Sequence, residues 1–254
     1  GLSQNNNRTK VIQEILKINQ QNTINILPNK IKNKKLNWNK QYPTDFYIDF
    51  ETINKTLLTT DIDINNSGDF DDYIFMIGIG FINNNSWCYY NLTAEEITKK
   101  EEDKLINEMV NFFIKQKKLL DPEDKYPIRL FHWSPAEQTH FNRVLDRNSK
   151  ILETLYKQDI HWIDLCDIFV KTPIVVRGAV TFKLKDIAKA MFSMNLITTT
   201  WTNDINSGFA AMQSAAEYYR TKMNNDIITE IEEYNMVDCK VMWDIVKYLR
   251  LNNF

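Results

Sequence analysis

The segment DFYIDFE, residues 45–51, decides how the rest of the chain is read. Aromatic and β-branched residues dominate it, so it predicts a short strand. Side chains two apart on a strand share a face, which puts the carboxylates of Asp49 and Glu51 side by side next to Tyr47, Ile48 and Phe50. Two such acids repel unless something lies between them. A divalent cation with a preference for oxygen, Mg²⁺ or Mn²⁺, would remove that cost. Taken alone, an Asp-x-Glu pair is equally a strand ending in exposed acids at a loop.

Downstream, the polar residues 52–72 suggest a loop. Residues 73–82 and 86–91 predict two more strands, joined by a turn at Asn83–Asn85. Apolar residues at Ile97, Leu105, Ile106, Met109, Val110, Phe113 and Ile114 give 94–120 a helical period, broken by Pro122 and Pro127. IRLFH, 128–132, is a fourth strand. After it, Ser134-Pro135 predicts a capped helix reaching about Arg147. Further helices are expected at 149–157, from Asp164, at 181–192, at 209–222 and at 225–251, with a short extended piece at 160–163. Strands first and helices later fit an α/β fold with a mixed central sheet flanked by helices.

Two more carboxylate positions stand out. Tyr234 and Asp238 are one turn apart on the last helix, beside the apolar stripe of Ile227, Ile231, Val241 and Ile245. An Asp there needs a partner or a metal if it is buried. An exposed Asp beside an amphipathic Tyr is the ordinary alternative. Glu137, in FHWSPAE, follows the fourth strand by one tight turn and starts a helix, where a carboxylate is favoured by the helix N-terminus.

Together these elements resemble the RNase H-like 3′–5′ exonucleases of the DEDDy branch, and more narrowly the RNase H-like domain of predicted RecB-family nucleases. The resemblance covers about residues 40–251. YIDFET matches that family's first motif, and Tyr234-Asn-Met-Val-Asp238 its last. Between them the family has a strand, a His-Asn-like turn and an acid on the next helix, which here is LFHWSPAE. The chain departs from the pattern there: Glu137 stands where Asp is usual, and Trp133 replaces the Asn. Asp164, after a short strand, is the competing acid, with a helix cap as its ordinary role. The position five before Asp238 is Glu233, so the His branch does not fit. His132, His140 and His161 are therefore not candidates for the general base.

The resemblance implies an RNase H-like domain at 41–254, preceded by a basic arm or linker at 1–40. It implies two Mg²⁺ or Mn²⁺ ions held by Asp49, Glu51, Glu137 and Asp238, with Tyr234 orienting the attacking water. The substrate would be single-stranded nucleic acid with a free 3′ end, DNA ranked ahead of RNA. Arg177, Lys183 and Lys185 are candidate phosphate contacts. Trp133 and His132 are candidates for positioning the terminal nucleotide, with core packing the alternative for Trp133. A catalytically silent scaffold of a larger nuclease or replication assembly, and a structure-specific endonuclease, are the other two functions this motif set allows.

Composition narrows the classes further. The chain has 254 residues and a net charge of −2, so total charge does not advertise a nucleic-acid binder. Residues 1–40 are the exception, with eight Lys or Arg against the single acid Glu14. They read either as a solvated arm or as a phosphate contact. Cys88, Cys166 and Cys239 lack metal-ligand spacing and suit a reduced, intracellular protein. The run YIFMIGIGFI is too short to span a bilayer as a helix. The first residue, Gly1, suggests a tag remnant or a domain taken from a longer protein with an upstream partner domain. Asp61, Asp63 and Asn65 imitate the start of a calcium loop, but Asn66 occupies the position that needs Gly. Gly78 and Gly80, inside a strand pattern, suggest close packing or a bulge.

Overall fold

A computed structural model describes residues 2–20, 23–58, 72–155, 157–202, 207–223 and 226–254. The imitation calcium loop at 61–72 lies almost wholly outside them. Five strands form the central sheet: β2 (Asp45–Asn54), β3 (Asp72–Asn83), β4 (Ser86–Thr93), β5 (Ile128–His132) and β6 (Ile160–Asp164). Their order is β4-β3-β2-β5-β6. β3 pairs antiparallel with both β2 and β4, whereas β5 runs parallel to β2 and to β6. The sheet is therefore mixed, as the strand-then-helix order of the sequence predicts. The β3–β4 turn works because Asn84 and Asn85 both adopt positive φ, 49° and 61°, which Asn tolerates better than most residues.

The strand alternation sorts side chains between two cores. Phe46, Ile48 and Phe50 join one cluster, with Ile106, Met109 and Phe113 of α2 (Lys99–Leu120) and Ala211 and Ala215 of α7 (Gly208–Thr221). Tyr47 faces the other way, toward Phe131, Trp133 and the C-terminal half of α8 (Asp226–Asn252). Asp49 and Glu51 keep step with Tyr47 and so point to the α8 side.

Several helix starts fall later than the periodicity predicts. α2 begins at Lys99, because Thr98 accepts from the Glu101 N–H and caps it. α3 (Ala136–Asp146) follows Pro135 and not Ser134, which sits at φ 92° with its own N–H donated to Asp164. α6 (Leu184–Ser193) begins three residues after Thr181, whose hydroxyl oxygen accepts from the Lys183 N–H. α4 (Ser149–Leu155) and α5 (Leu165–Lys171) complete the set.

Residues 26–35 look extended in the sequence, and Ile26–Leu27 (β1) is indeed a strand, but its antiparallel pairing with β7 (Val175–Val176) is not foreseen there. It ties the N-terminal segment to the domain. α1 (Leu2–Gln20) precedes it, with Ile18 buried, and Ile31 donates its N–H to the Asn253 carbonyl at 2.7 Å. Arg129 completes the attachment. Its guanidinium is fully buried and bonds Asp45, the carbonyls of Leu36, Asn37 and Lys40, and the face of Tyr42. Among the described residues, no helix is long and apolar enough to cross a membrane.

Candidate metal centre

Asp49, Glu51 and Asp238 converge. Each offers a carboxylate oxygen, and the three atoms lie within 4.8 Å of one another. β2 supplies the first two and α8 the third. Glu51 and Asp238 are buried, and Asp49 is partly open.

Burial and mutual repulsion act together on these acids. Desolvation, then the charges of Asp238 and Glu51, hold Asp49 well above the usual carboxylate range. Glu51 is pushed up to about 8, by burial first and then by Asp238. Asp238 rises to about 7, again chiefly by burial, against the opposing pull of Lys185. Glu137 adds like-charge repulsion to both Asp49 and Asp238, so its carboxylate lies within electrostatic reach of the cluster. It is buried, with His132 Nδ1 at 3.3 Å. A hard divalent cation fits this donor set: all its ligands are carboxylate oxygens, and it would offset a repulsion that one lysine leaves uncancelled.

The other predicted residues have varied surroundings. Tyr234 lies one turn before Asp238 on α8, on the same face, and its hydroxyl favours the charged form of Asp238. Burial and the neighbouring carboxylates drive its phenol far above the normal tyrosine range. Lys185 carries its ammonium 4.3 Å from the Tyr234 ring centre and 5.2 Å from that of Trp201, and feels the charges of Asp238, Glu51 and Asp49. Burial lowers its pKa. Lys183 is exposed at the N-cap of α6. Arg177 bonds Asn25 at 2.8 Å, at the β1–β7 pair. Trp133 donates to the Phe182 carbonyl at 2.8 Å and packs on Phe169. His132 is wholly buried, with Nδ1 at 2.6 Å from the Ser134 carbonyl. Asp164 caps α5, its Oδ1 accepting from the Asp167 and Ser134 N–H groups at 3.0 and 3.1 Å.

Sequence reasoning missed two residues that hold the acids. Asn235 donates Nδ2 to Asp49 Oδ2 at 2.8 Å and reaches the Asp49 carbonyl at 3.2 Å and Glu51 Oε1 at 3.4 Å. Its own Oδ1 accepts from the Tyr89 hydroxyl at 3.0 Å. Trp201 donates Nε1 to Asp238 Oδ1 at 3.0 Å. Asn235 did carry a signal: it continues the buried stripe through Ile231, Cys239 and Met242, where a polar residue needs a partner. Trp201 carried none, because it lies in the irregular segment after α6.

Gly78 is the other side of the Asn235 contact. It pairs with Asp49 across β2–β3, and a Cβ there would lie 1.6 Å from Asn235 Oδ1. The glycine lets α8 come close enough for an amide to reach both acids. Gly80 likewise makes room for the Trp87 ring. Gly78→Ala is expected to push the Asn235 amide out of the cluster, costing about 1–3 kcal/mol of stability and weakening Mn²⁺ binding. Denaturant melts together with a Mn²⁺ titration check this, and a variant as stable and as metal-responsive as the parent would show that the contact is dispensable.

A family profile matches residues 61–250: the RNase H superfamily. The chain belongs to that superfamily, whose members are commonly metal-dependent enzymes that cleave nucleic acid. The match takes in Glu137, Lys185, Tyr234 and Asp238 but begins after Asp49 and Glu51. It is therefore the geometry that unites all these residues. Neither curated proteins nor solved structures give a significant match to the chain.

Proposed function

We propose that this chain is a metal-dependent 3′–5′ exonuclease of the DEDDy type, close to the RNase H-like domain of RecB-family nucleases. Its substrate is single-stranded nucleic acid with a free 3′ end, DNA ahead of RNA. Residues 41–254 form the nuclease domain, and 1–40 a basic arm folded back on it. The observation that carries the reading is the convergence of Asp49, Glu51 and Asp238, with Tyr234 one turn before Asp238 on the same helix face.

Asp49, Glu51 and Asp238 would hold Mg²⁺ or Mn²⁺, with Glu137 serving a second ion. The ions would supply Lewis acidity toward the phosphate and a more acidic attacking water. Asn235 and Trp201 keep the carboxylates in place before anything binds. Tyr234 stays protonated, so it acts as a hydrogen-bond donor that orients the water and not as a general base. Lys185, steadied by two aromatic rings, presents positive charge beside Asp238 for the scissile phosphate. Water adds to phosphorus and the P–O3′ bond breaks. The released nucleotide carries the 5′-phosphate, and the shortened strand keeps a 3′-hydroxyl.

Glu137, not Asp164, is the further acid in this reading. Glu137 stands outside the three converging carboxylates, but its charge bears on Asp49 and Asp238, whereas both N–H groups facing Asp164 Oδ1 serve the chain's own turn and helix cap. Glu137→Gln is expected to slow cleavage by about 100-fold or more with an unchanged melting temperature. Asp164→Asn is expected to cost about 1 kcal/mol of stability with little change in rate per folded molecule. The assay uses DNA and RNA strands labelled at the 5′ end, incubated with Mn²⁺, Mg²⁺ or EDTA. A metal-dependent ladder shortening from the 3′ end supports the exonuclease, and internal cuts would replace it with an endonuclease. The opposite ranking of the two variants would move the acid to Asp164.

A further inference from the structure

On the flank of α8 that faces the edge strand β4, aromatic rings and lysines interleave. Met236, Lys240, Trp243 and Lys247 recur at i, i+4, i+7 and i+11, so they form one stripe along the helix. Trp87 of β4 meets that stripe, its ring centre 5.5 Å from that of Trp243. The Lys240 ammonium lies 4.4 Å from the Trp243 ring centre and 5.3 Å from that of Trp87. Lys247 lies 4.6 Å from Trp243 on the same ridge. Both indoles are partly exposed, as is Lys240, and Lys247 is exposed. The buried Asp244 forms an ion pair with Lys240 at 3.7 Å, while the four stripe positions themselves carry no acid.

The fold keeps this ridge rigid. Trp87 lies against Gly80, where a Cβ would come within 2.0 Å of its ring, so the glycine gives the benzo edge of the indole its place on the sheet. Two residues along the same strand face, Tyr89 bonds Asn235, which holds Asp49. The ridge and the carboxylates thus share one scaffold, while the lysine and tryptophan side chains take no part in the metal centre. Rigid aromatic faces alternating with lysines on flexible stems are what a single strand needs: bases stack on the rings and the ammonium groups follow the phosphates.

We propose that Trp87, Trp243, Lys240 and Lys247 form a second nucleic-acid contact, separate from the carboxylates, that holds single-stranded DNA or RNA away from the cleaved end. The inference rests on the nuclease reading for its ligand. A base takes the exposed face of Trp243, and Lys240 and Lys247 swing from the ring to the neighbouring phosphates. The contact serves long strands only, since a dinucleotide in the metal centre does not need it.

The test is fluorescence anisotropy with labelled oligothymidylate and oligouridylate of about 30 nucleotides, long enough for a full strand contact, in EDTA so that nothing is cut. Trp243→Ala is expected to weaken binding about 5- to 150-fold, and Trp243→Phe to retain most of it. Lys240→Ala with Lys247→Ala is expected to flatten the salt dependence of log K by about 1.4, at about 0.7 for each lost phosphate contact. The lysine pair keeps the test valid if Trp243→Ala fails to fold. Metal-dependent cleavage of a dinucleotide should be unchanged in the lysine variant. Strand binding equal to the parent's in both variants overturns the proposal and leaves a solvated flank or a protein contact. Ridge-dependent binding without cleavage of any substrate keeps the ridge and sinks the nuclease. Cleavage with variant-insensitive binding does the reverse, and absence of binding by the parent protein overturns the ridge.

Discussion

Asp49→Asn is expected to abolish cleavage and, in the metal-free protein, to raise stability. The two effects share one cause. Asp49, Glu51 and Asp238 hold three acidic groups within 4.8 Å, and burial adds to their repulsion. Asparagine can still accept from Asn235, so the local fold survives, but one negative charge is gone. Loss of a metal-holding charge should lower the rate by at least about 10³-fold. Relief of repulsion should stabilise the metal-free variant by about 1–2 kcal/mol near pH 8, since each pKa unit relieved is worth about 1.4 kcal/mol. Melting curves with EDTA and with Mn²⁺ separate these effects. The parent should gain markedly from Mn²⁺ and the variant little. An unaltered cleavage rate, or an equal Mn²⁺ response, would remove Asp49 from the centre.

The pH profile of the metal-free parent follows from the same groups. The folded state raises Glu51 to about 8 and Asp238 to about 7, from ordinary values of 4.5 and 3.8. In that window the folded protein binds more protons than the unfolded chain does. The contribution of these two groups to stability is therefore fully present below the ordinary carboxylate range and is lost as pH rises through the folded values. The loss is on the order of a few kcal/mol for such coupled groups. Metal should restore it, and should bind more tightly as pH increases, because it competes with those protons. A metal-free melting temperature that is flat from pH 5 to pH 8 (roughly the window these shifts define) would contradict this.

Arg129→Met should be the most destabilising single change. The arginine donates to Asp45 at 2.7 Å and to the carbonyls of Leu36, Asn37 and Lys40 at 3.1, 2.8 and 2.7 Å. Leu36 and Asn37 both sit at positive φ, 54° and 52°, a conformation that leucine rarely adopts without support. Methionine fills much of the space but leaves three carbonyls and half of Asp45 without their donor. Arg250 still reaches Asp45 at 3.0 Å and the Trp38 carbonyl at 2.8 Å, so the domain should fold. The expected cost is about 3–5 kcal/mol, or about 10 °C in melting temperature. Limited proteolysis should open first around residues 36–42. A melt within a degree or two of the parent, on the order of an ordinary surface substitution, would show that the clamp is replaceable.

Local pattern and distant contact contributed separately to this protein. The strand at 45–51, the strand at 128–132, the hairpin around Asn84 and the long C-terminal helix were legible because each is set by its own periodicity and turn chemistry. So was the shared face of Asp49 and Glu51, which follows from the pleat, and the single helix face of Tyr234 and Asp238. Only the tertiary structure decided that these two faces meet, since nothing local couples residues 49 and 238. Asn235 and Gly78 illustrate the reason: a polar residue in a buried stripe and a glycine in a strand each call for a close neighbour, but which neighbour is decided only because α8 crosses β3 there. The β1–β7 pair and the Arg129 clamp were illegible for the same reason, as two-residue strands and a lone arginine take their meaning from partners far along the chain. Hydrophobic period and backbone preference act over a few residues, so they wrote the elements into the sequence; packing, acting across the whole chain, brought the acids together.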